Sequence, residues 1–313
     1  MKFVITGAIG HIGSRLVRTL PAQFPNCEVV MIDNMATQRY PSLFDLPEGA
    51  RYTFVEADVT SAELIPLIEG ADVVVQLAAI TDAAGSFDIA EEVERVNYQT
   101  TQRIAEACVE TGARLFHPSS TSVYGTQDDK VDEDCTLEDL KPQSPYAETK
   151  LREEALLAEL ARDKGLRHVT CRLGTVFGTS PGMRFHTAVN KFCWQAVMDQ
   201  PLTVWRTAMD QKRPYLDLGD AVTAIRLIVE NDLFDGRVYN VLTSNVTVRD
   251  IVDTIKAFVP DLEVSLVDSR IMNQLSYEVG FERIREQGFE PHGTLEQGVG
   301  DTIRLLERAN SRI

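Results

Sequence analysis

The chain has no apolar run long enough to cross a bilayer, so no membrane span is expected. Cysteine is scarce. The five thiols (27, 108, 135, 171 and 193) are scattered, and none forms a C-x-x-C pair. That argues against a disulfide framework and for a reduced compartment, with the thiols acting as small core residues. Basic residues are in deficit: 31 Lys and Arg face 47 Asp and Glu, a net charge of −16. Nucleic acid and anionic membranes are therefore not expected partners. A phosphorylated small molecule stays open, because a few local donors handle its charge. None of the five histidines is spaced like a metal pair, so no metal is expected. The acidic run Asp128, Asp129, Asp132, Glu133 and Asp134 reads as a solvated loop. Met1 leads directly into Lys2–Thr6, with no basic and apolar leader. The cytoplasm is the default location. For the same reason the acceptor-like Asn245-Val246-Thr247 is set aside.

What is present is an alternation of strands and helices. The 313 residues, 44% hydrophobic, fit one large α/β domain or a domain carrying a smaller lobe. Short β-branched runs at 2–6, 28–32, 51–55, 72–77, 113–118 and 167–173 read as strands. Helices are expected at 11–20, ending near Pro21, at 87–111, ending near Gly112, and at 144–164, ending near Gly165. This order predicts a doubly wound parallel sheet of the Rossmann type. Beyond 174 the regularity loosens. Helices are expected near 185–199, 219–230, 247–258 and 294–309. We expect a dinucleotide-binding domain over 1–174, with segments of 213–241 returning to it, and a substrate-binding lobe over most of 175–313.

The first strand runs into Gly7-Ala8-Ile9-Gly10-His11-Ile12-Gly13, which opens a helix. Glycines at such a turn let backbone approach a pyrophosphate, and the helix start supplies free N–H groups. A glycine-rich turn alone is weak evidence; its position between strand and helix is what counts. The second strand ends at Asp33-Asn34, about twenty residues on. An acid there accepts hydrogen bonds from the adenosine ribose and repels a 2′-phosphate. NAD is favoured over NADP. A helix or turn cap is the less favoured use of Asp33. For His11 a backbone phosphate contact is favoured over a role as base.

Tyr146 and Lys150 lie four apart on a helix and share a face. A lysine ammonium beside a tyrosine favours the phenolate, which can exchange a proton with a sugar hydroxyl. Such a pair is common by chance. Here a hydroxyl-rich loop, Ser119-Ser120-Thr121-Ser122-Val123-Tyr124-Gly125, follows the fifth strand. It is expected to face the same crevice beyond the strands' carboxyl ends. A Ser/Thr turn with local backbone bonds is the plainer use.

Together these motifs resemble the extended short-chain dehydrogenases/reductases. The match is closest to the NAD-dependent nucleotide-sugar epimerase/dehydratase family. It rests on Gly7-x-x-Gly10-x-x-Gly13, Asp33-Asn34, Asp58-Val59, Leu77-Ala78-Ala79, Asn97, Ser119-Ser120-x-x-Val123-Tyr124-Gly125 and Tyr146-x-x-x-Lys150. It continues through Pro201–Trp205, Arg213–Asp220 and Tyr239-Asn240-Val241 and thins out after about residue 260. The resemblance implies that Ser120, Tyr146 and Lys150 are catalytic, with Lys150 also on the nicotinamide ribose. It places Asp58 and Val59 at adenine and Leu77, Ala78 and Ala79 along the cofactor. Asn97 is implied to be structural. Arg213 would grip the substrate's diphosphate, which suits a guanidinium. Trp205 would stack on the nucleotide base, although a core or interface tryptophan is nearly as plain a reading. Ser122, Thr175 and Arg270 complete the candidate substrate contacts. A homodimer through the two long helices is also implied.

Related dehydratases carry an Asp-Glu pair where this chain has Thr121 and Ser122. The acid and base for eliminating water are missing from that place. Thr175 replaces a frequent Asn, and Arg206 replaces the Gly that follows the stacking aromatic. The late Arg-Pro-Gly-Asp is absent, Asp268-Ser-Arg270 standing nearby. The expected activity is epimerisation of a nucleotide-diphosphate sugar, a UDP-sugar first, at C4 through a transient 4-keto form. Net oxidation or reduction of such a sugar is the alternative, ahead of a dehydratase. A non-catalytic NAD-binding regulator is remote, since it needs no Ser, Tyr and Lys in register.

Overall fold

The computed structural model describes residues 1–81, 85–127, 129–268 and 276–308. Asp128, Arg270, Asn273 and Gln274 lie outside the described residues. The first half runs β1 (Lys2–Thr6), α1 (His11–Gln23), β2 (Cys27–Asp33), β3 (Ala50–Glu56), α2 (Ile65–Ile68), β4 (Val73–Gln76), α3 (Ala90–Thr111), β5 (Arg114–Ser120), α4 (Pro145–Lys164) and β6 (His168–Leu173). The second half runs β7 (Thr175–Phe177), α5 (Ala188–Val197), β8 (Leu202–Trp205), β9 (Lys212–Asp217), α6 (Leu218–Glu230), β10 (Val238–Val241), β11 (Ser244–Thr247), α7 (Val248–Phe258), β12 (Val264–Val267), α8 (Glu282–Arg285) and α9 (Leu295–Glu307).

Seven strands form one parallel sheet in the order β10-β6-β5-β4-β1-β2-β3. Both faces are covered, as an all-parallel sheet requires. Alternate residues of one strand feed two cores. Phe3, Ile5, Val29, Met31, Val73 and Val75 enter the core against α1 and α6. Val4, Val30, Ile32 and Val74 enter the core against α3 and α4. Each fully buried Val, Ile or Phe contributes roughly 1.5–3 kcal/mol. The strand order reverses beside β1, between β2 and β4. A ligand crevice is expected beyond the carboxyl ends there.

The sequence expectation for α1 needs a correction. The helix does not stop before Pro21 but carries it and runs to Gln23. A proline near the end of a helix forfeits one N–H bond, and the turn still closes through Phe24 N–H to the Leu20 carbonyl at 2.7 Å. The helix expected from 87 starts at Ala90, behind a 3-10 turn at Gly85–Phe87. Helices α3 and α4 end at Gly112 and Gly165, both left-handed.

The remaining strands are short. β11, β9 and β7 form one small sheet, and β12 and β8 another. A separate core gathers α5, α7 and α9 around Leu202 and Val204 of β8. Among the described residues no helix is long and apolar enough to cross a membrane.

Candidate functional site

The glycine turn sits at the switch point. Gly7 has φ +67°, and a Cβ there would lie 2.6 Å from the Leu77 carbonyl. At Gly13 it would meet the Gly7 carbonyl oxygen at 2.5 Å. These contacts force β1, α1 and the Leu77-Ala78-Ala79 segment into close approach. That segment is fixed from below. Thr6 accepts the Leu77 N–H on its carbonyl at 2.9 Å and the Ala78 N–H on its hydroxyl at 3.3 Å. Asn97 holds Ile80 by both backbone groups at 2.8 Å each. Its role is structural, as the resemblance implies.

Gly10 is the N-cap of α1. No side chain caps the helix, and no acid occupies its first turn. The amide end therefore stays open to an anion. Asp33 accepts the Ile9 N–H at 3.3 Å and the Met35 N–H at 3.0 Å. Burial pushes its carboxyl above the usual range, and these amides and Arg39 offset part of that. Further along, Asn34 donates to Asp58 at 3.3 Å. Asp58 is held below the usual range, first by the Thr60 hydroxyl at 2.6 Å and then by the Thr60 amide. Val59 is buried beside it.

His11 is buried and places Nδ1 3.0 Å from the Ser180 hydroxyl. Its Nε2 has no hydrogen-bond partner among the described residues. Burial first, and then the charge of Arg184, depress it to about 3, so it is a neutral imidazole rather than a cation. The Thr179–Arg184 loop covers the glycine turn: Gly182 donates to Ser14 at 3.0 Å, and a Cβ on Gly182 would lie 2.1 Å from the Ile9 carbonyl oxygen. An uncapped amide end, a cradle closed to any Cβ, an acid at the end of β2 and an orphaned imidazole nitrogen suit a dinucleotide diphosphate. The residues present fit NAD.

Across the crevice, β5 ends at Ser120, which caps the turn Thr121–Tyr124. Its Oγ accepts the Ser122 N–H at 3.2 Å and lies 2.8 Å from the Ser122 hydroxyl. Thr121 is buried, 3.3 Å from the Leu173 carbonyl and 3.5 Å from the Tyr277 hydroxyl. Helix α4 packs on this turn. Its N-cap Ser144 accepts the Ala147 N–H at 3.2 Å, and Pro145 opens its first turn. Tyr146 is half-buried in that turn. Lys150 is 2% exposed, with Nζ 5.8 Å from the Tyr146 ring centre.

Sequence reasoning missed what lies behind Lys150. Glu153 accepts from Lys150 Nζ at 2.8 Å and has His117 Nε2 3.2 Å away. Burial would lower the lysine; the Glu153 carboxylate reverses this, and Lys150 is held above its usual range. Burial would raise Glu153; Lys150 and His117 bring it down to about 2. One signal was available. Ala147, Lys150, Glu153, Leu157 and Leu160 are spaced as the inward stripe of α4, and all are buried. Also unread were Gln76, Thr6, Arg39, Tyr277 and the pair of half-buried Glu154 with buried Arg172.

The candidate substrate residues are less gathered. Thr175 opens β7 opposite Tyr215 of β9. Arg213 lies on the same sheet and donates to Gln211 at 3.1 Å. Trp205 ends β8, in the other small sheet, and is 36% exposed. The neighbouring Arg206 is paired with Asp268 at 3.0 Å.

A doubly wound parallel sheet with a glycine turn at its switch point defines a dinucleotide-binding fold. More particularly, the model of the NAD dependent epimerase/dehydratase family matches residues 3–241, and the chain belongs to that family. Its cofactor is NAD. The uncharacterized UDP-glucose epimerase YtcB of Bacillus subtilis is 32% identical over 250 residues, 77% of this chain and 76% of that protein. The trifunctional UDP-glucose 4,6-dehydratase/UDP-4-keto-6-deoxy-D-glucose 3,5-epimerase/UDP-4-keto-L-rhamnose-reductase RHM1 of Arabidopsis thaliana is 29% identical over 313 residues. That match takes 96% of this chain and 46% of the plant protein, so the chain spans about half the length of this relative. The structure of UDP-glucuronic acid 4-epimerase from Bacillus cereus, in complex with UDP-glucuronic acid and NAD, superposes with TM-score 0.90. Identity is 25%, with 99% of this chain and 100% of that one covered.

Proposed function

We propose that the protein epimerises a UDP-sugar at C4 through a transient 4-keto sugar. The observation that carries this reading is Tyr146 and Lys150 on one face of α4, which packs on the Ser120–Ser122 turn, with no carboxyl side chain at Thr121 or Ser122. NAD, when bound, supplies the hydride acceptor and the returning hydride. Tyr146 takes the proton from the C4 hydroxyl and later gives it back. Ser120 donates a hydrogen bond to the reacting oxygen. Lys150 holds the nicotinamide ribose and keeps positive charge beside Tyr146. Gly7, Gly10, His11, Ile12 and Gly13 receive the pyrophosphate, Asp33 and Asn34 the adenosine ribose, and Asp58 and Val59 the adenine. Leu77, Ala78 and Ala79 line the cofactor's path.

We assign Ser122, Thr175, Trp205 and Arg213 to the sugar nucleotide, with 1–174 and returning segments of 213–241 as the cofactor-binding part and most of 175–313 as the substrate-binding lobe. A cytoplasmic homodimer paired through α3 and α4 completes the proposal. Val93, Ile104 and Leu160 are buried within the chain, so that contact would use the outer faces of these helices. Light scattering at micromolar concentration should give the mass of two chains; the mass of one would end the dimer.

The test of activity is proton NMR of the NAD-loaded protein with UDP-, GDP- and dTDP-sugars, UDP-glucuronic acid among them. A new anomeric signal is expected and should vanish in Tyr146→Phe. Unchanged spectra across the panel, with NADH accumulating instead, would replace epimerisation by net oxidation.

A further inference from the structure

Two adjacent acids on α4 serve two different cations. Glu154 is committed to Arg172, receiving Nε at 3.0 Å and Nη2 at 2.7 Å. Glu153 turns inward to Lys150. Behind it a line of polar groups crosses the sheet. His117 of β5 places Nε2 3.2 Å from Glu153 and Nδ1 3.3 Å from Gln76 Oε1 of β4. Gln76 donates to the Thr101 hydroxyl of α3 at 2.7 Å. Lys150 and Gln76 are 2% exposed; Glu153, His117 and Thr101 are 0% exposed.

Burying this many polar groups is costly unless each is satisfied. An apolar stripe on α4 would pack as well without that cost. The line ends at a buried threonine, so it does not lead a proton to solvent through these groups. What it does is fix one charge at one place. We propose that Glu153 is a positioning residue that holds the Lys150 side chain against Tyr146 and keeps it cationic. This rests on Tyr146 and Lys150 being the reacting pair. The titratable groups facing Lys150 are Tyr146, Glu153 and Glu154 on α4 and His117 on β5. His168 on β6 faces His117 in turn. Of these, Glu153 is the acid within hydrogen-bond distance of the ammonium. Without that carboxylate, a buried ammonium has lost its partner and tends to the neutral amine.

The experiment is a carbon NMR titration of the full-length, NAD-loaded protein with lysines labelled at Cε. The Lys150 signal is assigned by its loss in Lys150→Arg. In the wild type it should remain in the ammonium form while surface lysines titrate, near pH ~10.4. In Glu153→Gln it should titrate at least about two units lower than in the wild type. Glu153→Asp keeps the charge but retracts it and should fall between the two. A carboxylate used only for packing would be replaced by glutamine with no movement of the titration, and that result overturns the proposal. Should Glu153→Gln fail to fold, Glu153→Asp decides alone: a titration equal to the wild type overturns it. No sugar is used, so a silent sugar panel leaves this result standing, and an unmoved titration leaves the sugar reading standing.

Discussion

At the scale of single residues, glycines with the same backbone sign have different uses. Gly7 and Gly112 both have positive φ, +67° and +74°. A Cβ at Gly112 meets nothing within 4 Å, whereas one at Gly7 meets the Leu77 carbonyl at 2.6 Å. Gly112→Ala should therefore cost about 1–2 kcal/mol of left-handed strain and leave NAD affinity alone. Gly7→Ala adds a backbone clash at the cofactor turn. It should cost roughly 2–4 kcal/mol and weaken NAD binding at least about tenfold. Urea denaturation and NAD titration of the two variants separate the effects. Equal NAD affinities would mean that the turn does not cradle the cofactor. Gly182, by contrast, has no such backbone sign. Its Cβ is excluded because another part of the chain, the Ile9 carbonyl, already fills the space. Such a requirement is invisible in the local sequence, since the two segments lie about 170 residues apart.

Among the elements, α4 carries the most chemistry per turn. Its start is set by Ser144 and Pro145, its end by Gly165. Tyr146 and Lys150 ride on the first two turns, so the cap fixes their approach to the Ser120 turn. Ser144→Ala should cost about 1 kcal/mol of stability. If the cap also sets Tyr146, turnover of the identified sugar should fall several-fold at temperatures where the variant is folded. An unchanged rate with the expected stability loss would confine Ser144 to a structural role. The long elements were legible because periodicity and terminating glycines acted together over 20 or more residues, as in α3 and α4. Of the strands of three and four residues, β4 was legible and β7, β8, β10, β11 and β12 were not. The latter are too short to show alternation, and their pairing is set by distant partners. The adjacent Glu153 and Glu154 look like a solvated helix face. Only their register against Ala147 and Leu157 betrays burial; helix spacing supplies Lys150, and only the tertiary fold supplies His117 and Arg172. The glycine turn, Asp33, Tyr146 and Lys150 were readable because one local motif positions each. The candidate substrate residues Thr175, Trp205 and Arg213 came from the resemblance alone, and they lie on three separate short strands, β7, β8 and β9, joined by long-range packing.

For the whole molecule, the buried histidines set the response to acid. His11 is depressed to about 3 and His168 to about 4, in both cases chiefly by burial. Burial also holds His117 below its usual range. Unfolded, each would titrate near the ordinary value of 6.5. Below that pH the unfolded chain binds protons that the folded one refuses, so stability falls as pH falls. The loss for His168 runs from about 6.5 to about 4, and for His11 from about 6.5 to about 3. One proton of difference is about 1.4 kcal/mol per pH unit, so His11 and His168 together reach about 3 per unit. Glu153, held at about 2, adds a further loss, but only as pH falls below its ordinary value of 4.5. Asp33, Asp217 and Glu133 are raised by burial and work the other way. They take up protons already above their ordinary values near 4, and so offset part of the histidine loss. A domain with only about 5–15 kcal/mol of stability should then lose a large part of it between pH 7 and about 5. Urea midpoints without NAD should drop steeply across that interval, and His168→Asn should make the drop shallower by about one proton. A midpoint that holds constant from pH 7 to about 5 would mean that these imidazoles protonate without opening the sheet, and the burial argument for all three would fail.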